Sequence, residues 1–327
     1  MRTLSTIVLY AVTILLSAWA TAALAFDLPW TSLRIPMACA YAITIGVILF
    51  RLKPRVYAAG LCFAAFLAVT IWWFSIPPSN DRRWQGDVSQ TAWADIKGDM
   101  ATLHNVRNFE YRTETDYTQH WETRTLDLSK VQGLDIFITY WGSPWIAHPI
   151  LSFQFEDGQH LAFSIETRKE VGEEYSAILG FFRQYELIYV VADERDVVRL
   201  RTNYRKGEEV YLFHTRMPAE RARQLLEAYL NKANQLNAKP EWYNALTTNC
   251  TTDIERLMAA GGKKRPPLDW RLFLNGHMDE MLYERGAFAG SLPLPQLKQQ
   301  AHINDAARLA DRSPDFSVKI REGRAGF

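Results

Sequence analysis

Three stretches without a charged residue open the chain: Thr3 to Phe26, Ile35 to Phe50 and Val56 to Asn80. The first and third are long enough to cross ~30 Å of hydrocarbon as helices. The second is short, and must draw on Trp30 to Leu33 or tilt in a thinned bilayer. The pattern predicts a three-helix anchor over residues 1–76, with helices at about 4–26, 30–50 and 56–76. The prolines of Ser75-Ile76-Pro77-Pro78-Ser79-Asn80 stop the third helix.

Beyond Asn80 the apolar positions alternate with polar ones, as in a globular domain. Trp84 to Leu103 reads as a short helical lead-in, Val106 to Arg112 and Trp121 to Leu128 as strands, and Leu134 to Tyr140 as a buried strand or helix. Trp141 to Trp145 reads as a loop. His148 to Phe155 and His160 to Thr167 form a predicted hairpin about the Asp157-Gly158 turn. Period-two alternation puts His148, Ile150, Ser152 and Gln154 on one face of the first strand, and His160, Ala162, Ser164 and Glu166 on one face of the second. Strands are also expected at Tyr185 to Ala192, Val197 to Thr202 and Glu209 to Phe213. Pro218 opens a helix with Leu225, Leu226, Tyr229, Leu230, Ala233 and Leu236 at helical spacing. Ile254, Leu257 and Met258 mark a short helix closed by Gly261-Gly262, and Ala301 to Leu309 a late one. The fold class is α+β: anchor, a Cys/His domain over 81–262, and a C-terminal extension over 263–327.

Charge sets the orientation. Arg2, Arg51, Lys53 and Arg55 flank the hydrophobic segments on one side, which places the N-terminus and the 51–55 loop in the cytoplasm. Residues 77–327 then lie outside, at the periplasmic face of a bacterial inner membrane. Ala23-Leu24-Ala25 resembles a signal cleavage site, and cleavage there would leave the soluble domain on the same side. A net charge of +1 gives no reason to expect nucleic acid as a partner.

Of three cysteines, Cys39 and Cys62 fall in the spans and Cys250 is alone in the soluble part, so no disulfide forms within that domain. A lone cysteine can be a small buried hydrophobe. Cys250, however, sits at the start of a predicted helix among Asn249, Thr251 and other capping threonines, where the helix end favours thiolate. A thiol nucleophile needs a base, and the base needs an orienting group. His148 can supply the first, and Glu166, Ser164 or His160 on the neighbouring strand the second. No HExxH, P-loop, GxGxxG or GxSxG motif competes, and neither metal nor cofactor is expected. The acidic runs Glu173-Glu174 and Asp193 to Asp196 read as solvated turns.

Several strings resemble the bacterial membrane-protein family named for the Lnb N-terminal periplasmic domain. They are Trp141-Gly142-Ser143-Pro144-Trp145-Ile146-Ala147-His148, Ser164 to Glu170, Gly180 to Tyr189, Asp193 to Asp196 and Asn249-Cys250-Thr251-Thr252, within about residues 95–260. Lnb is a lipoprotein N-acyltransferase, so the resemblance implies thiol-based acyl transfer at the outer face of the inner membrane. The order of parts, histidine strand first and cysteine helix last, is similar to circularly permuted papain-like proteins such as lecithin–retinol acyltransferase. That implies a domain of antiparallel sheet plus helices, with Cys250 as nucleophile, His148 as base, and Glu166 or His160 as the third member. Asn249 and Thr251 are expected as orienting or oxyanion groups, and Trp141, Arg168 and Tyr243 against substrate. The expected partners are a phospholipid acyl donor and a membrane lipoprotein N-terminus or other amine acceptor. A Cys/His hydrolase of cell-wall peptide or lipid ester, and a non-catalytic membrane-tethered binding module, are the alternatives.

Overall fold

The computed structural model describes residues 2–245, 247, 254, 269–272 and 274–327. Two compact units result, and the first joins Met1–Ser79 to Glu174–Glu186 and Trp242–Asn244. Its helices α1 (Arg2–Asp27), α2 (Thr31–Arg51) and α3 (Arg55–Phe74) are each long and apolar enough to cross a membrane. The second helix gains its length by starting at Thr31, so Arg34 falls in its first turn and its Nε donates to the Leu28 carbonyl at 2.7 Å. Leu15, Ile43, Phe50 and Ile71 point outward, as lipid-facing positions should. The hydroxyls of Thr13, Thr21, Thr44 and Thr70 donate to carbonyls four residues back, which satisfies them without water.

The second unit comprises Asn80–Glu173, Leu187–Glu241 and Ala245–Phe327. Its sheet is built from β1 (Trp93–Lys97), β2 (Met100–Arg107), β5 (Trp121–Asp127), β6 (Val131–Trp141), β7 (Ser143–Phe155), β8 (His160–Arg168), β9 (Glu186–Ala192) and β10 (Glu208–His214). A separate two-stranded ribbon pairs β3 (Glu110–Tyr111) with β4 (Tyr117–Thr118). The sheet order is β1-β2-β9-β8-β7-β6-β10, with β5 also on β2. The sheet is mixed, because β2 meets β9 in parallel at Arg107 and Ala192.

Both faces of this sheet are covered. Helix α5 (Ala219–Ala238) lays Leu225, Leu226, Tyr229, Leu230 and Leu236 on one, as their spacing requires. There the Tyr229 ring meets Phe153 and Phe163, at centroid distances of 6.1 and 5.2 Å. The opposite face carries Phe137, Ile150, Ala162 and Leu212, and packs on Val197, Val198, Ile303, Ala307, Phe316 and Ile320. The C-terminal helices Leu294–Ala301, Asn304–Leu309 and Phe316–Lys319 thus belong to the same unit as the sheet.

Three local expectations fail for identifiable reasons. Trp84 to Leu103 holds one short turn, Gly86–Val88, and then β1 and the start of β2. Here Ala94, Ala101 and Leu103 alternate inward about the positive-φ Gly98. Val197 to Thr202 is helical, not extended. Asp193 caps α4 (Glu194–Arg199) by accepting from the Arg195 N–H at 2.9 Å, and a wider turn continues over Leu200–Tyr204. This cap outweighs the strand preference of Val197 and Val198. The tract Trp141 to Trp145 is not a loop, because only Gly142, at φ +63, separates β6 from β7. The helix expected around Ile254 falls largely outside the described residues.

The acidic run Asp193 to Asp196 is also not a solvated turn. Glu194 and Asp196 are fully buried, each against a guanidinium: Arg321 Nη2 to Glu194 at 2.6 Å, and Arg107 Nη2 to Asp196 at 2.8 Å. Burial at such a position requires a paired counter-charge, and each acid has one.

Candidate functional site

His148 lies in β7, directly across from Thr139 of β6, and only 7% of it is exposed. The strand reaches that point under restraint. The Ala147 N–H donates to Asn275 Oδ1 at 2.9 Å. Gly276 presses on the hairpin so closely that a Cβ there would overlap the Pro144 carbonyl.

The last paired rung between β7 and β8 joins Ile150 to Ser164, and the same antiparallel register brings His148 opposite Glu166. His148 Nε2 lies 2.7 Å from Ser164 Oγ and 3.2 Å from Glu166 Oε1. Ser164 Oγ donates to the same Glu166 oxygen at 2.6 Å. An ionised carboxylate can only accept, so the single serine proton goes to Glu166 and the serine must accept from the ring. The proton of the neutral imidazole therefore sits on Nε2. Among the described residues Nδ1 has no hydrogen-bond partner, and it keeps its lone pair.

Behind Glu166 stands Arg201, in the turn after α4, donating from Nη2 to Oε1 at 2.8 Å and from Nη1 to Glu208 Oε2 at 3.1 Å. Burial would push the Glu166 carboxyl up, but the neighbouring His148 and Arg201 hold it well below the usual carboxylate range. Arg201 is charged at every relevant pH, so Glu166 stays ionised when His148 is neutral. Burial also lowers the His148 pKa. Glu166 pulls it back up, and Arg201 opposes that pull. The result is a neutral, oriented base held by a fixed anion.

Of the residues singled out by sequence, His148, Ser164 and Glu166 come together. His160 does not, since it pairs with Gln154 at the other end of β8 and its Nδ1 faces the Gly158 carbonyl. Arg168 ends β8. It is buried, donates to the Val88 and Ser89 carbonyls and to Asn80 Oδ1, and stacks on Trp84 at 4.3 Å. Trp141 ends β6, paired with Ser143 and Glu208, and is partly exposed. Tyr243 belongs to the first compact unit and is buried, its N–H bonded to the Tyr185 carbonyl. Cys250, Asn249 and Thr251 lie outside the described residues. Among the described residues no group of three or more His, Cys, Asp or Glu side chains could hold a metal ion.

Arg201 escaped the sequence reading because its segment was assigned to a strand. The available signal was Asp193 as a helix cap, which turns Arg201 toward the sheet two turns later.

The chain matches the sequence profile of the Lnb N-terminal periplasmic domain over residues 117–276. These residues form an Lnb N-terminal periplasmic domain. The matched stretch contains His148, Ser164, Glu166, Arg201 and Cys250. With three helices able to cross a membrane, the chain is a membrane protein with a periplasmic domain. No curated protein and no solved structure matches it.

Proposed function

We propose that this protein is a thiol-dependent acyltransferase at the periplasmic face of the inner membrane. Its three helices would pass through the bilayer in turn, and its catalytic domain would be related to the permuted papain-like proteins. The observation that carries the reading is the His148 array: Nε2 is committed to Ser164 and Glu166, while Nδ1 keeps a lone pair. A base of that form suits a thiol and has little purpose in a binding module.

In this reading His148 Nδ1 takes the Cys250 proton as the sulfur attacks the ester carbonyl of a phospholipid. The carbonyl C–O bond breaks, and the lysophospholipid leaves with the proton returned by His148. An amine, the N-terminus of a lipoprotein, then attacks the thioester. His148 accepts the amine proton and passes it to the departing sulfur. The Glu166 carboxylate stabilises the imidazolium in both halves. Membrane anchoring raises the effective concentration of both lipid substrates.

The test uses the full-length protein in vesicles of acyl-labelled phospholipid, with a diacylglyceryl lipopeptide added. Label should move to the lipopeptide amine as an amide. Release of free fatty acid with no amide would instead establish a hydrolase, and absence of both would remove the enzyme reading.

A further inference from the structure

In the first compact unit, Arg183 lies against three aromatic rings. Its Cζ is 4.1 Å from the centre of Trp73, 5.8 Å from Phe74 and 5.7 Å from Trp242. Trp73 and Phe74 are the last residues of α3, at the end that the basic residues place outside. Among the described residues this guanidinium makes no hydrogen bond and no ion pair, and its Nε is buried without a partner. The nearby Asp27 attracts it through space but takes no hydrogen bond from the guanidinium; its side-chain donors are Trp73 Nε1 and Gln184 Nε2, both at 2.6 Å.

The same unit exposes a short apolar stretch just before this arginine. Ile178 is 65% exposed and Phe181 38%, while Phe182 turns inward onto Phe26 at 5.0 Å. On α3, Ile71 and Phe74 are exposed as well. Ile178 and Phe181 project from a single 3-10 turn (Leu179–Phe181), the next residue Phe182 packs with Trp73 at the end of α3, and Arg183 lies on the same ring. Guanidinium stacked on an aromatic ring keeps its N–H edge for an anion, and phosphate matches that edge in geometry and charge. Tryptophan at this depth marks the headgroup layer.

We infer that Arg183 binds the phosphate of an outer-leaflet phospholipid, with Ile178 and Phe181 set among its acyl chains. Arg183 belongs to the first unit and His148 to the second, and the inference does not depend on acyl transfer. It rests on the three helices crossing the bilayer.

To test it, a photoreactive benzoylphenylalanine is placed at position 178 of the full chain, in vesicles of phosphatidylethanolamine and phosphatidylglycerol. Position 71 serves as a lipid-facing control and position 309, 91% exposed on the second unit, as an aqueous one. Mass spectrometry should find phospholipid adducts at 178 and 71 and none at 309. Arg183→Gln should lower the adduct at 178 about tenfold or more, the range of a charge-assisted hydrogen bond, and leave that at 71 unchanged. Arg183→Lys should retain part of it. Diacylglycerol, which lacks phosphate, should label 178 weakly, and excess inorganic phosphate should not displace the lipid.

Labelling at 178 that ignores Arg183→Gln, or that diacylglycerol matches, would overturn the phosphate site. So would full competition by inorganic phosphate, or an adduct at 178 to protein and not lipid. Loss of labelling at 71 as well would overturn the membrane-spanning reading with it.

Discussion

The two nitrogens of His148 have different surroundings, and the difference leads to opposite responses in two variants. Glu166 pulls the ring pKa up and Arg201 pulls it down, both against a background of burial that lowers it. If activity requires neutral His148, the acid limb of the pH–rate profile follows that balance. Glu166→Gln should move the apparent acid limb to lower pH, and Arg201→Met should move it to higher pH. Each shift is expected at about one unit, as for a charge within contact distance. Identical shifts in both variants would show that neither charge acts through the ring. His148→Ala and Cys250→Ser should each abolish transfer, whereas Glu166→Gln lowers it by a smaller factor, since nucleophile and base act as one unit. Ser164→Ala removes the group that fixes the tautomer and should fall between these. Steady-state transfer rates on folded variants, verified by thermal unfolding, measure all four.

At the scale of elements, the β6–β7–β8 meander sets the distances, and its tip is held from outside. Asn275 accepts the Ala147 N–H and Gly276 leaves no room for a side chain against Pro144. Gly276→Ala should therefore displace the strand entering His148 and reduce turnover strongly without altering any reacting group. A cost in unfolding free energy of about 1–3 kcal/mol accompanies such overpacking. Wild-type turnover in that variant would mean the tip does not position His148. This region also shows what was legible in the sequence. Alternation and Asp157-Gly158 revealed the hairpin, and face counting put His148 and Glu166 on one side, which the register reproduces. Face counting could not separate Glu166 from His160, because both lie on that face. Only the direction of pairing places His160 at the far end. Arg201 was hidden for another reason, since two adjacent valines imitate a strand while a capping aspartate four residues before the first decides for helix.

Across the whole molecule, the C-terminal helices close the sheet face that carries the polar positions, and Arg321 fastens them. It reaches Asp135 and Glu194, both fully buried, from the far end of the chain. Sequence patterns could not show this, because the partners lie 186 and 127 residues before Arg321. Burial raises the Glu194 pKa, but Arg321 more than offsets it and holds the carboxyl at about 2, from an ordinary 4.5. A depressed acid stabilises the fold above its unfolded pKa, so this contribution of about 3 kcal/mol is lost as pH falls from 4.5 toward 2. Arg321→Met should destabilise the domain by about 3–5 kcal/mol at neutral pH, because it takes the guanidinium from buried Glu194 and Asp135, of which only Asp135 keeps a second ion-pair partner, His214. It should also flatten the acid-dependent loss in that window, and denaturant unfolding at several pH values measures both effects. An unchanged pH dependence would contradict the pairing. The central claim, a covalent acyl intermediate formed with His148 as base, is tested most directly by trapping. The full-length protein is incubated with acyl-labelled phospholipid without acceptor, and intact and peptide masses are measured. The expected result is one acyl group on Cys250, released by hydroxylamine, discharged by a lipopeptide amine and absent from His148→Ala. No adduct on Cys250, or an adduct that forms equally well in His148→Ala, would contradict the account.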